Sequence, residues 1–146
     1  MTDKTRNNEE IRQAALNLVR ERAIKQKANE IEEQAQKEAL IKKTNMVIHD
    51  DFTATGNLQY GIYFEGKLHK SFKIRLIMVS DTMKNKQEGY LFTLETFTAP
   101  IISLGEIPQE KLSLEFFQEY LPSRDLDTLI EVQSEIRKKR ENTSGV

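Results

Sequence analysis

Acidic residues beside a serine are the first candidates for chemistry in this sequence. Ser123, Arg124, Asp125 and Asp127 fall within five residues of the segment LPSRDLD. Two carboxylates that face each other can share a proton and act as general acid and base. However, residues two apart on a helix point in different directions. A serine followed by acidic residues is also typical of a helix N-terminus, where it caps free N–H groups. The pattern therefore favours capping over catalysis.

The rest of the inventory gives little support for catalysis or metal binding. His49 is followed by Asp50 and Asp51, but the other histidine, His69, is distant in sequence, and a zinc site needs three or four ligands. The chain has no cysteine, which excludes disulfides and thiolate chemistry. Neither a glycine-rich phosphate loop nor a G-x-S-x-G nucleophile motif occurs. We therefore expect no catalytic residue, no metal and no cofactor, and we predict that the protein is not an enzyme.

A run of four basic residues, RKKR at 137–140, is a candidate handle for nucleic acid. Three glutamates nearby (Glu131, Glu135 and Glu141) dilute its charge, and no aromatic residue is interleaved for base stacking. The whole chain carries a net charge of −1. Cations also stabilise the last turn of a helix by themselves. Nucleic-acid binding is therefore disfavoured, although a small nucleic-acid-binding regulator stays an alternative.

The N-terminal part of the chain is predicted to be one long helix. Residues 8–43 lack both Gly and Pro and are rich in Ala, Glu, Gln, Lys and Arg, which are strong helix formers. Their apolar stripe is narrow, and its spacing slips near residues 22–25. We expect this helix, residues 1–45, to project from the domain or to dock on another chain, with a homo-oligomer or coiled coil as one arrangement. Residues 46–57 are polar and are predicted to be a linker.

The remaining residues, 58–141, are predicted to form a small α+β domain. Residues 58–77 alternate in polarity around the turn sequence EGK, which predicts one β-hairpin. Residues 79–89 predict a short helix capped by Ser80 or Asp81. The stretch 90–104 has helical spacing broken by Pro100, with Gly105 as a helix stop, but its β-branched content leaves a strand open.

Two further helices follow, beginning after Ser113 and at Ser123, and residues 142–146 are predicted to be a disordered tail. The expected fold class is therefore α+β, with a long N-terminal helix, one β-hairpin and a C-terminal cluster of three or four helices. No window approaches the roughly 18 apolar residues of a membrane span, and the N-terminus lacks an apolar signal region. We expect a soluble protein of the cytoplasm with no membrane partner.

Large apolar residues are numerous for so small a domain, and a two-stranded hairpin is only marginally stable alone. Some of these side chains are expected to stay exposed and to receive another chain. The candidates for partner contact are Tyr63, Phe72, Phe92, Phe116 and Phe117.

The succession of motifs over about 80 residues resembles the Mu-like phage tail assembly chaperones. The segment GIYFEGKLHKSFKIRLIMVSDTM resembles the opening of that family, with a strand, an acidic-Gly-Lys turn, a second strand and a helix start. The segments IISLGEIP and LSLEFFQEYLPSRDLDTLIEVQSEIRKK resemble its C-terminal half. The first 55 residues or so lie outside the resemblance.

The resemblance implies a non-enzymatic role in the assembly of a long phage or prophage tail, in the cytoplasm of the bacterial host. Such chaperones are thought to bind the tape measure protein, a very long helical chain, and to keep it soluble until tail-tube subunits polymerise around it. Tape measure protein and tail-tube protein are therefore the implied partners. A structural tail component, such as a tube-associated or connector-associated subunit, is the alternative.

Overall fold

A computed structural model describes the backbone of residues 2–144 and the side chains of residues 7–143. The chain divides into two compact units between Glu38 and Ala39. The first helix, α1, spans Thr2–Thr44, so the predicted long N-terminal helix is confirmed. Every side chain of residues 7–38 is exposed. The last turns of α1 belong to the second unit, where Leu40 and Thr44 are buried.

The second unit contains a four-stranded antiparallel sheet in the order β1-β2-β3-β4. The strands are β1 (Val47–Ile48), β2 (Thr53–Phe64), β3 (Lys67–Arg75) and β4 (Ile101–Leu104). Strands β2 and β3 form the predicted hairpin. Its two turn residues, Glu65 and Gly66, have φ angles of 50° and 75°, as expected for the turn that matches strand twist in two-residue hairpins. The predicted α+β class is confirmed, but the sheet contains two strands, β1 and β4, in addition to the predicted hairpin.

The prediction that residues 46–57 form a linker is wrong. Val47 and Ile48 pair with Thr55 and Ala54, so this segment is a second, shorter hairpin. The acidic residue of its turn, Asp51, accepts hydrogen bonds from the backbone N–H and the hydroxyl of Thr53. The polar residues that looked like a linker are therefore the turn between two paired strands.

Four helices complete the second unit: α2 (Val79–Lys84), α3 (Tyr90–Thr98), α4 (Leu114–Tyr120) and α5 (Ser123–Ser144), with a 3₁₀ turn at Gln109–Lys111. Ser113 caps α4 as predicted, because its hydroxyl accepts from the Phe116 N–H. The cap of α2 is Met78 rather than Ser80 or Asp81, and Asp81 accepts from the Met78 N–H. Residues 142–144 are helical rather than a disordered tail; residues 145–146 lie outside the described part of the chain.

The ambiguous stretch at residues 90–104 contains both a helix and a strand. Helix α3 follows the apolar spacing as far as Thr98, and Pro100 then separates it from β4. Gly105 was predicted as a helix stop, but it follows β4 with a φ of 53° and donates a hydrogen bond to the Ser71 carbonyl. A Cβ at Gly105 would collide with the ring of His69.

The core lies between the sheet and α5, with α3 and α4 beside it. The core residues that α5 contributes recur at helical spacing, and those that the strands contribute lie at alternating positions. The residues of α5 in this core are Leu126, Leu129, Val132 and Ile136, and those of the strands are Ala54, Leu58, Ile62, Phe72, Ile74, Ile101 and Leu104.

Gly105→Ala is expected to lower the free energy of unfolding by more than about 2 kcal/mol, because the added methyl group meets both an unfavourable backbone angle and the buried His69 ring. Gly89→Ala is the matched control, since Gly89 has a similar φ of 61° but no neighbour within 4 Å of the added Cβ. Urea denaturation measures both. Equal losses in the two variants would contradict a role for the His69 contact.

Candidate partner-binding surface

Asp125, a candidate catalytic carboxylate of the LPSRDLD segment, is fully buried. It binds backbone N–H groups rather than a second carboxylate. Its Oδ1 accepts from the Tyr60 N–H at 3.0 Å, and its Oδ2 accepts from the Gly61 N–H at 2.9 Å. Asp125 lies in the first turn of α5, where the helix dipole also favours negative charge. Both oxygens of the carboxylate are thus occupied, and Asp127 is exposed. This arrangement is a structural clamp.

The clamp compensates an irregularity in the hairpin. Asn57 pairs with Ser71 and Ile62 with His69, so residues 58–61 of β2 stand opposite the single residue Lys70. Such a bulge leaves backbone N–H groups without ladder partners. Gly61 has a φ of 85°, and a Cβ there would lie 2.7 Å from the Lys70 side chain. Asp125 supplies the acceptors that the bulge lacks.

A second side chain of α5 also replaces a strand partner. The Gln133 amide donates to the Arg75 carbonyl at 2.7 Å and accepts from the Ile77 N–H at 3.1 Å. These two bonds imitate the pairing of a neighbouring strand at the point where β3 ends. Helix α5 is therefore fastened to the hairpin at both ends of the contact, by Asp125 and by Gln133.

The end of β3 is further fixed by an ion pair. Arg75 donates two hydrogen bonds to the carboxylate of Asp81, at 2.7 and 2.8 Å. The Asp81 side chain is only 10% exposed. The hydrogen bonds from Arg75, together with one from the Met78 N–H, hold the pKa of Asp81 below its ordinary value of 3.8.

The basic run at residues 137–140 is largely engaged within the chain. Lys139 donates to the Ile48 carbonyl and approaches Asp50, at 3.1 and 3.4 Å. Arg140 lies over the ring of Phe52, 5.3 Å from its centre. Arg137 and Lys138 pair with glutamates of the same helix. Lys139 and Arg140 therefore join α5 to the β1–β2 turn.

The two histidines also have structural partners. His49 shares a hydrogen bond with the Thr55 hydroxyl at 2.9 Å. His69 is buried, and its Nδ1 accepts from the Glu106 N–H at 3.2 Å. Among the residues whose side chains are described, no three His, Cys, Asp or Glu residues are grouped in a way that could hold a metal ion.

The five predicted partner-contact residues fall into different environments. Phe72 and Phe117 are 3% and 2% exposed and belong to the core, so the structure removes them from the candidate surface. Phe116 is half-buried, and its ring contacts Phe64, Phe117 and Tyr120. Tyr63 and Phe92 are exposed. Tyr63 and Phe92 therefore lie at a surface that another chain could cover without unfolding, and Phe116 is partly accessible.

Sequence reasoning missed the neighbours that make Tyr63 part of a patch. Tyr63 pairs directly with Leu68 across the hairpin, and the two side chains are 69% and 37% exposed. The Leu68 side chain also covers Gly61, next to the exposed Tyr60. We call Tyr60, Tyr63 and Leu68 the hairpin patch. A regular strand would place Leu68 and Phe72 on one face, but Leu68 is exposed and Phe72 is buried, because the pairing shifts at the bulge between them.

A second exposed apolar group lies on α2, which buries none of its residues. Val79 and Met83 are four residues apart and therefore lie on one side of the helix, 76% and 70% exposed. Met78, at the start of the helix, is also exposed. We call these three residues the α2 patch. Both patches have the composition of protein-binding surfaces, in which aromatic residues and methionine are enriched.

No protein-family model, curated protein or solved structure matches this chain. Within residues 2–144, no helix is both long and apolar enough to cross a membrane.

Asp125→Ala is expected to lower the free energy of unfolding by about 2–4 kcal/mol, because the N–H groups of Tyr60 and Gly61 lose their acceptor and the Gly61 N–H is buried. Asp127→Ala, two residues away and exposed, is the control and is expected to change stability by less than about 0.5 kcal/mol. Chemical denaturation of both variants gives the comparison. A small loss for Asp125→Ala would show that the bulge finds other acceptors.

Asp81→Asn is expected to flatten the acid side of the stability profile. Because the pKa of Asp81 is lowered in the folded state, its charge stabilises the fold above the ordinary pKa of 3.8, and this contribution is lost as the pH falls through the folded-state value. The variant is therefore less stable than the parent at neutral pH and loses less on acidification. Urea melts between pH 7 and pH 2 measure this difference. Parallel profiles for parent and variant would contradict it.

Proposed function

We propose that this chain is a non-enzymatic assembly chaperone of a phage or prophage tail. In this proposal it binds the tape measure protein in the cytoplasm of the bacterial host and helps to recruit tail-tube subunits. The observation that carries the proposal is the exposure of the hairpin patch on a unit whose core is already filled by other residues. Side chains that the core does not need are available to another chain.

The chemistry of the patches suits a long apolar helix as partner. Tyr63 and Leu68 form an exposed aromatic–aliphatic pair on the hairpin. Val79 and Met83 form an exposed apolar strip along one side of α2. Methionine adjusts its shape to different apolar surfaces, which suits a partner whose stripe varies along its length. Each patch is small, so individual contacts are expected to be weak and reversible.

Weak contacts are an advantage in this role. Each copy carries two patches, and once one patch is bound the other meets the same helix at a raised effective concentration, so two weak contacts together can hold a copy in place. Each copy must also leave when tube subunits arrive, which a single tight interface would prevent. A small protein with modest patches meets both demands.

The contacts of the candidate chemical residues support this proposal over an enzyme or a nucleic-acid regulator. Asp125 has both carboxylate oxygens bound by backbone N–H groups and is inaccessible to a substrate. Lys139 and Arg140 are held against the β1–β2 turn. A duplex would have to compete for these cations with existing partners.

Co-expression with the tape measure protein of the same phage or prophage tests the proposal. We expect the tape measure to become soluble and to be retained with the tagged chain. The double variant Tyr63→Ser/Leu68→Ser is expected to lose most of this retention, because it removes the apolar area of the hairpin patch. Since both side chains are exposed, the thermal midpoint of the variant should stay close to that of the parent.

Val47→Ser is the matched control, because Val47 is an exposed apolar strand residue outside both patches. It should retain the tape measure as the parent does. The proposal fails if the tape measure stays insoluble and unbound with the parent chain. Equal retention by the parent and the double variant would instead show that the hairpin patch is not the contact.

A further inference from the structure

The first unit, residues 7–38 of α1, carries two short apolar stripes, and two further apolar residues, Leu16 and Val19, are exposed beside the first stripe. Ile11, Ala15 and Leu18 follow each other at spacings of four and three residues. The same spacing begins again thirteen residues later, at Ile24. At about 100° per residue, thirteen residues turn the helix by about 220°, so the second stripe lies on nearly the opposite side from the first. A single straight partner cannot cover both stripes.

The second stripe consists of Ile24, Ala28, Ile31 and Ala35, and we call it the distal stripe. All four side chains are exposed, with Ile24 at 69% and Ile31 at 63%. Their spacing of four, three and four residues is that of the seam positions of a coiled coil. Alanine at every second position allows two helix backbones to approach closely. The stripe is therefore shaped for a second helix.

The charges around the distal stripe are divided sharply. Residues 20–27 contain four basic residues and one acidic residue, a net charge of +3. Residues 30–38 contain four acidic residues and one basic residue, a net charge of −3. A copy of the same segment running in the opposite direction places each half against the half of opposite charge. A copy running in the same direction places the basic half against the basic half and the acidic half against the acidic half.

We propose that the distal stripe pairs with the distal stripe of a second copy of this chain in an antiparallel two-helix contact. The occupant is a second copy because the segment is complementary to its own reversed sequence in both charge and apolar spacing. The proposal does not depend on the tail-assembly function.

The register of the contact follows from the stripe. In antiparallel pairs the two kinds of seam position face each other, so Ile24 of one copy packs on Ala35 of the other, and Ala28 packs on Ile31. Each layer then combines one large and one small side chain. Beside the seam, Lys25 of each copy faces Glu32 of the other, which gives two ion pairs. At each end of the contact, Glu21 of one copy faces Glu38 of the other copy. The repulsion between these two carboxylates limits the contact to four layers.

Analytical ultracentrifugation of the full chain tests for association. We expect the average mass to rise from one chain toward two with increasing concentration, and to fall again with added salt because exposed charges are screened. Ile31→Lys is expected to abolish the association. Ile11→Lys, the same substitution on the other stripe of the helix, is the matched control and should associate as the parent does. Circular dichroism should show similar helicity in both variants.

Lys25→Glu separates the two helix directions. In the antiparallel contact the new carboxylate faces Glu32 of the other copy, and the substitution is expected to weaken association roughly tenfold. In a parallel contact the same position faces Arg20, so the substitution would strengthen association. The double variant Lys25→Glu/Glu32→Lys restores the antiparallel ion pairs in reversed order and should associate like the parent.

Disulfide trapping gives an independent test of direction, because the chain contains no cysteine. The two single variants Ile24→Cys and Ala35→Cys are purified separately, mixed and oxidised. Intact mass spectrometry then identifies which dimers have formed.

The antiparallel register predicts a mixed dimer that joins position 24 of one copy to position 35 of the other. Ala35→Cys alone should give little dimer, since its two copies lie about 16 Å apart along the axis. A chain that stays monomeric at all concentrations, a stronger association of Lys25→Glu, or efficient disulfide formation by Ala35→Cys alone would each overturn the proposal.

Discussion

The second unit depends on one buried carboxylate. The bulge at residues 58–61 frees two backbone N–H groups, and Asp125 of α5 accepts both of them. Hydrogen bonds to a charged acceptor are about twice as strong as neutral ones, whereas a buried N–H without a partner is costly. The hairpin can therefore carry its bulge only when α5 is docked. Helix position and strand irregularity are fixed by the same interaction.

The bulge also decides which side chains the hairpin exposes. Beyond it, Ile62 pairs with His69 on the buried side, while Tyr63 and Leu68 pair on the exposed side. In a hairpin without the bulge, the Leu68 side chain would lie on the same face as Phe72 and point toward the core. The candidate binding surface thus depends on the strand irregularity, which Asp125 stabilises from the buried side of the hairpin.

Local signals in the sequence predicted most elements but not the contacts between them. The long helix, the EGK turn and the Ser113 cap each depend on a few adjacent residues, and all three are confirmed. Strand β4 was ambiguous because a four-residue apolar run suits a helix or a strand equally well. The clamp links residues more than sixty positions apart, so no local pattern indicates it. For the same reason, the sequence could not separate buried Phe72 from exposed Tyr63.

The outermost strands of the sheet restrict how another protein can be captured. Strand β1 has two residues, and β4 has four, bounded by Pro100 and Gly105. Proline offers no N–H, and strands β1 and β4 themselves present few backbone groups to an incoming extended segment. Addition of an extended segment to β1 or to β4 is therefore poorly supported. Any association at these two strands would depend mainly on side chains, and the same short strands limit edge-to-edge pairing between copies of the protein.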